Sequence, residues 1–124
     1  MANELEIQGS IFFAKGNTAR TGLKTAVIKV DVSGDGHIIA SQNVGTSEEA
    51  LILGDVSTSA LGLCMIVNKD ATNFVEIRPG TTVADLIKIK AGEFALFRFA
   101  DLVTAPFAIA DTAAVEVDIY LFED

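Results

Sequence analysis

The sequence is poor in the residues from which catalytic and metal sites are usually built. Its 124 residues include one cysteine, one histidine, one tyrosine and no tryptophan. A single cysteine forms neither an intramolecular disulfide nor a zinc cage, and Cys64 lies in the apolar run 61–67, where we expect a buried, inert thiol. His37 has no serine and acid at a triad spacing, and no G-x-S-x-G, H-E-x-x-H or C-x-x-C motif occurs. We therefore predict no enzyme activity and no cofactor.

Basic side chains are also scarce. Nine lysines and arginines stand against seventeen acidic residues, which gives a formal charge of −8. Nucleic-acid binding and attraction to anionic lipids both depend on positive charge. The densest basic group is Lys15, Arg20, Lys24 and Lys29, in an otherwise acidic chain. We predict neither a nucleic-acid partner nor a membrane partner.

Long apolar runs are absent. The longest unbroken run of apolar residues and glycine is 60–67, whereas a helix needs ~20 residues to span a bilayer. The first residues are acidic and alternating, without the basic start and apolar stretch of a secretory signal. We expect the protein to be made in the cytoplasm.

What the sequence does contain is short strands with apolar residues at every second position. Val115, Val117, Ile119 and Leu121 alternate with polar or aromatic residues, which places an aliphatic row on one face of a strand. Turn-forming residues between such segments predict three hairpins. Their paired segments are 26–32 with 38–44, 61–68 with 73–78, and 87–90 with 93–100. Gly92, in the last turn, is free to take a positive φ.

Many short strands in one small domain predict an all-β fold. We expect an antiparallel two-sheet β-sandwich of jelly-roll or related Greek-key type, with a small barrel as the second possibility. At most two helical turns are expected, at 46–49 and 82–85. Residues 1–22 are predicted to be an N-terminal arm and flexible loop, and residues 23–124 the sandwich domain.

Phenylalanines on both faces of one strand predict self-association. Phe94 and Leu96 lie on one face of the strand, and Phe97 and Phe99 on the other. A strand that is apolar on both faces is covered on both faces, and in a small domain the second cover is often another copy. We predict a dimer or trimer. The interface candidates are Leu5, Ile7, Phe12, Phe13, Arg20, Phe97 and Phe99.

A calcium-loop pattern begins at Asp31. Asp31, Ser33, Asp35 and Gly36 match its first, third, fifth and sixth positions, but Gln42 replaces the glutamate that closes such a loop. The flanking residues predict strands rather than helices. We therefore predict no metal site and favour a glycine-assisted hairpin, with Asp31, Ser33 and Asp35 as weak calcium candidates.

From about Leu53 to the C-terminus, the order of strand and turn segments resembles small virion structural proteins of tailed bacteriophages. The matching pieces are LGDV at 53–56, the run 61–67 leading into NKDATNFVEI at 68–77, the segment 87–100 with KAGEF at 90–94, and the alanine-rich stretch 108–115. The resemblance covers a little more than half of the chain and does not extend clearly to residues 1–44.

The resemblance implies a non-enzymatic protein that assembles on the virion. Within this class we favour a capsid decoration (cement) protein, which binds the major capsid protein on the outside of the head as a homo-oligomer. An outward-facing position agrees with the acidic charge, because a protein that grips DNA is expected to be basic. Two alternatives remain open: a neck, tail or fibre-associated phage component, and a ligand-binding β-sandwich module.

Overall fold

Strands are the only regular secondary structure in the computed structural model, which describes residues 4–17 and 19–124. No helix forms in these residues, either at 46–49 or at 82–85, so the all-β prediction is confirmed. None of the described segments is a helix long and apolar enough to cross a membrane. The twelve strands are β1 (Leu5–Ile7), β2 (Ser10–Phe13), β3 (Thr21–Lys24), β4 (Ile28–Val30), β5 (His37–Val44), β6 (Glu49–Ala50), β7 (Leu61–Asn68), β8 (Val75–Arg78), β9 (Ile87–Ile89), β10 (Phe94–Arg98), β11 (Phe107–Ala110) and β12 (Val115–Glu123).

The first of two compact units is Met1–Ser33. It contains two antiparallel strand pairs, β1 with β4 and β2 with β3. The boundary predicted after residue 22 falls inside β3. Residues 1–3 and 18, which belong to the predicted arm and loop, lie outside the described residues. No residue described in this unit is buried, so its strands have no hydrophobic core of their own.

The second unit, Gly34–Asp124, consists of two four-stranded antiparallel sheets. Their strand orders are β10-β7-β12-β5 and β6-β11-β8-β9. Alternating side chains from both sheets form one buried cluster, which gives a sandwich-like architecture. The aliphatic row predicted for the last strand lies in this core. The largest core side chains that are fully buried are Val44, Ile66, Val75, Ile89, Val115, Val117, Ile119 and Leu121.

All three predicted hairpins are wrong. β4 pairs with β1 rather than β5, β7 and β8 lie in different sheets, and so do β9 and β10. A turn signal marks where the chain reverses, but the next strand can either pair beside the previous one or pack on the facing sheet. At the turns after β7 and β9 the apolar rows of both flanking strands face one core, so the chain crosses from sheet to sheet, whereas β4 belongs to the first unit and pairs there. Gly92 does have the predicted positive φ, of 77°.

Candidate interaction surfaces

The β2–β3 hairpin has an apolar face that is open to solvent. The register pairs Ile11 with Leu23 and Phe13 with Thr21, so these side chains lie on one face. Ile11 is 71% exposed, Leu23 65% and Phe13 54%. We call Ile11, Phe13 and Leu23 the arm face. Exposed apolar clusters of this kind mark interaction sites in stable proteins.

The opposite face of the hairpin is basic. The Arg20 guanidinium lies 4.5 Å from the centre of the Phe12 ring, in a cation–π contact, and Lys24 pairs with Ser10. Gly22 lies under Phe12, and a Cβ at that position would collide with the Phe12 side chain and the Ile11 carbonyl. The sequence-predicted interface residues Phe12 and Arg20 therefore stabilise each other on this face.

A second apolar surface lies on the outside of the β10-β7-β12-β5 sheet. The register places Leu96, Met65, Tyr120 and Ile39 in one row across the four strands. Ile39 is 61% exposed, and Phe94, in the neighbouring row, is 62% exposed. We call Ile39, Met65, Phe94, Leu96 and Tyr120 the outer sheet face.

On β10 the structure corrects the sequence-based choice of interface residues. Phe99 is buried and Phe97 packs against the core. Their rings meet edge to face, with centroids 5.0 Å apart. The structure therefore places these two candidates inside the sandwich, whereas Phe94 and Leu96 on the same strand face solvent. The prediction that this strand is apolar on both faces holds, with the second face uncovered in the single chain.

The remaining predicted interface residues, Leu5 and Ile7, lie on β1. They pair with Val30 and Ile28 of β4 and are half-buried. Across this pair Lys29 and Glu6 approach to 3.9 Å, an exposed ion pair of small energetic weight. Half-burial in a two-stranded sheet leaves part of each side chain available for contact.

A small cavity of about 160 Å³ opens at one end of the sandwich. It is lined mainly by apolar side chains, including Ile77, Leu86 and Phe97. The two arginines at its wall are both engaged: Arg78 binds Glu48 and Asp85, and Arg98 binds Asp124. Pockets for small-molecule ligands are typically about 300–1,000 Å³, so this cavity has room only for a small apolar group.

The segment with the calcium-loop pattern uses its residues for packing. The Glu123 carboxylate accepts the Gly36 N–H at 2.7 Å, and a Cβ at Gly34 or Gly36 would collide with that carboxylate. Gln42 is buried, donates to the Ala50 carbonyl and accepts the Ile52 N–H. These glycines make room for a side chain rather than closing a hairpin. No group of three metal-ligating side chains occurs among the described residues.

His37 and Cys64 occupy unrelated places. His37 is exposed on β5, an edge strand, and its Nδ1 lies 3.3 Å from the Asp35 carbonyl oxygen. Cys64 is buried in β7, as predicted, and burial raises the pKa of its thiol to about 12. The sole imidazole and the sole thiol therefore contribute no common site.

Sequence reasoning missed the polar side chains that hold the loops. The buried Asn68 donates to the Asn73 and Ile89 carbonyls and accepts the Asp70 N–H, all within 3.0 Å. Asparagine two residues before an aspartate, as in Asn68 and Asp70, is common in any turn, so the pattern carried no signal for this role.

Comparisons with known proteins add no assignment. The chain matches no protein-family model, and no curated protein or solved structure matches it significantly.

Proposed function

We propose that this chain is a non-enzymatic structural protein of a tailed-bacteriophage virion, a capsid decoration (cement) protein that binds the major capsid protein as a homo-oligomer. The resemblance of residues 53–124 to such proteins suggests the class. The charge of −8 is compatible with a position outside the DNA-filled shell. A protein of this kind is made in the host cytoplasm and resides on the particle.

We further propose that the second unit is a jelly roll. Counting β5 as the first strand and β12 as the eighth, the sheets have the orders 6-3-8-1 and 2-7-4-5. The first strand then neighbours the last, and the second neighbours the seventh, as in two nested Greek keys. Jelly rolls recur in viral capsid domains and lectins. An experimental structure in which β5 and β12 are not neighbours would overturn this proposal.

The observation that carries the functional proposal is the uncovered apolar surface. The first unit has no buried residue among those described, and isolated two-stranded sheets are at best marginally stable in water. The outer sheet face adds Ile39 and Phe94, both more than half exposed. Exposed apolar clusters often mark the sites at which proteins dock onto one another, and docking onto the capsid is the task of a decoration protein.

The test is to locate the chain on particles. Antibodies against the recombinant protein, applied to purified virions from the source, should label the head. Cryo-electron microscopy should show density outside the shell at its symmetry positions. Adding the protein to heads that lack it should raise the temperature at which they release DNA, and the triple variant Ile11→Thr, Ile39→Thr, Phe94→Thr should do so less effectively.

Other outcomes point to the alternatives. Density in a ring at the neck, or along the tail, would replace the head assignment with the neck or tail assignment. Absence of the chain from all particles, together with a thermal midpoint that rises on adding calcium or a sugar, would replace the virion proposal with the ligand-binding module.

A further inference from the structure

We infer that copies of this chain associate head to tail, with the arm face of one copy covering the outer sheet face of the next. This inference deepens the proposed assembly function and rests on it for the expectation that copies associate. It names both halves of the contact: Ile11, Phe13 and Leu23 on the arm, and Ile39, Met65, Phe94, Leu96 and Tyr120 on the sheet.

Charge is the first reason to pair these two surfaces. The β2–β3 hairpin, residues 10–24, carries three basic side chains and no acidic one, whereas residues 34–124 carry five basic and fourteen acidic ones. Two β2–β3 hairpins brought together would repel each other, and so would the second units of two copies. The hairpin of one copy against the second unit of another brings opposite charges together, and such complementarity favours this pairing over the other two.

The arrangement of the charges supports the same pairing. The arm face itself is uncharged, and Arg20 and Lys24 belong to the opposite side or the ends of the hairpin. On the outer sheet face the acidic side chains lie to one side of the apolar row that crosses the sheet. Asp118 stands in the neighbouring row with Phe94, and Glu116 follows beyond it. Both share Lys69, at 3.8 and 3.7 Å. An apolar centre with charges at its rim is the usual anatomy of a protein interface.

The dimensions of the two surfaces match. Four strands at about 4.8 Å spacing make a face roughly 14 Å across, and the four residues of β2 span about 13 Å. The apolar row formed by Leu96, Met65, Tyr120 and Ile39 crosses the whole sheet. A two-stranded ribbon laid along this row covers all four strands.

The exposed area of the two faces is large enough to form the apolar part of one contact. Ile11, Phe13, Leu23, Ile39 and Phe94 are each more than half exposed, and Leu96 is 37% exposed. At roughly 100 Å² left in water on each of these six side chains, each face exposes about 300 Å² of apolar surface, which is within the range of the largest patch on a monomer. Joined in one contact, the two faces would bury about 600 Å² of apolar surface, and since roughly 60% of an interface is apolar, the whole contact would bury about 1,000 Å².

Because the two halves of the contact differ, the interface is heterologous. Such an interface generates rings where the rotation closes and open chains where it does not. Every copy in a ring has its arm covered and its sheet covered. The uncovered β2–β3 hairpin then gains the packing that its own unit does not supply.

Complementation between two variants tests the inference. The arm variant carries Ile11→Thr and Leu23→Thr, and the sheet variant carries Ile39→Thr and Phe94→Thr; threonine retains β-propensity while removing apolar surface. We expect wild-type protein to be larger than a monomer in light scattering, and each variant alone to fall to the monomer mass of 13.1 kDa. Mixed in equal amounts, the variants should form a 1:1 complex of two chains, because one intact arm meets one intact sheet.

Matched controls are available elsewhere on the surface. Leu86 and Leu102 are 73% and 95% exposed and lie outside both faces, so the variant with Leu86→Thr and Leu102→Thr should keep the wild-type mass. Raising NaCl from 50 to 500 mM should weaken the wild-type assembly, since screening reduces the attraction between rim charges.

Three results would overturn the inference: a monomeric wild-type protein, a wild-type mass in either variant, or variants that remain monomeric when mixed. If a variant loses the circular dichroism spectrum of the wild type, the complementation experiment is replaced by hydrogen exchange on the unmodified protein at several concentrations. Dilution should then accelerate exchange in β2–β3 and leave β8 and β11 unchanged, and equal rates at all concentrations would reject the inference. The location on virions is measured separately. If the protein is found on heads but the arm and sheet variants keep the wild-type mass, only the head-to-tail contact is rejected and the proposed function stands.

Discussion

At the scale of single residues, buried polar groups decide where the loops go. Asn68 is 1% exposed, and both polar atoms of its side chain form hydrogen bonds with backbone groups. Its own backbone N–H donates to the Glu93 carbonyl and its carbonyl accepts the Gly92 N–H. One residue thus joins the turn after β7 to the turn before β10. No buried side-chain polar atom among the described residues is left without a partner.

Replacing Asn68 with alanine should therefore be costly. Asn68→Ala would leave the Asp70 N–H and the Asn73 and Ile89 carbonyls without their partner, and we expect the free energy of unfolding to fall by about 2–4 kcal/mol. Urea denaturation measures this loss. The exposed Asn43 on β5 is the matched control, and Asn43→Ala should change stability by less than about 0.5 kcal/mol. Equal effects of the two substitutions would contradict the structural role of Asn68.

The thiol of Cys64 should be unreactive in the folded protein. Burial raises its pKa to about 12, and the thiolate is the form that attacks disulfide reagents. We expect no reaction with Ellman's reagent at pH 8, and one thiol per chain after unfolding in guanidinium chloride. Rapid labelling of native protein would show that β7 opens on the timescale of the assay.

At the scale of elements, an ionic cluster fastens the loop between β8 and β9 to the start of β6. Arg78 binds Glu48 at 2.6 Å and Asp85 at 2.5 Å. Glu48 also accepts hydrogen bonds from the Thr81 hydroxyl and the Thr82 N–H. Thr82 has a φ of 56°, an unusual conformation for a β-branched residue, and the bonds to Glu48 hold it there.

The Glu48 contacts make stability depend on pH. Hydrogen bonds from Thr81 and then from Arg78 hold the pKa of Glu48 below its ordinary value of 4.5. A carboxyl with a lowered pKa in the folded state contributes stability above pH 4.5, and this contribution is lost as the pH falls through the folded-state pKa. The substitution Glu48→Gln should therefore lower the thermal midpoint at pH 7, with a difference that shrinks below pH 4.5.

The control for Glu48 is the exposed Asp101. Asp101→Asn should leave the midpoint at pH 7 close to that of the wild type. If the difference between Glu48→Gln and wild-type protein were the same at pH 3 and pH 7, the charge of Glu48 would not be the source of its effect.

At the scale of the whole molecule, the hydrophobic core belongs to one unit. All the buried apolar side chains that the structure describes lie between residues 44 and 121. The first unit depends instead on two strand pairs and, in our inference, on a neighbouring copy. The acidic charge is likewise concentrated in the second unit, and the first carries four basic and three acidic residues.

Residues 34–124 should fold by themselves. Because they contain the entire described core, we expect this fragment to keep a β-type circular dichroism spectrum and to unfold cooperatively. Residues 1–33 should give the spectrum of an unfolded chain, since two-stranded sheets without a core are marginal. An unfolded 34–124 fragment would show that the first unit contributes to the folding of the second.

The sequence by itself determined the properties that follow from the two-residue period of its apolar side chains and from their immediate neighbours. Alternation at 115–121 predicted a buried row, the absence of helical spacing predicted an all-β chain, and the apolar surroundings of Cys64 predicted its burial. These properties depend on a residue and its near neighbours, because the strand period of two fixes which side chains share a face.

Strand partners were decided only by the tertiary structure. The same turn serves a hairpin or a crossing between sheets, and the choice depends on which apolar rows meet across the core. The sequence likewise selected Phe97 and Phe99 as contact residues without showing which face of β10 the facing sheet covers. Gly36 was assigned to a turn because Glu123, which requires the space beside it, is 87 residues away in the chain. Contacts between distant segments are set by packing, which local patterns do not contain.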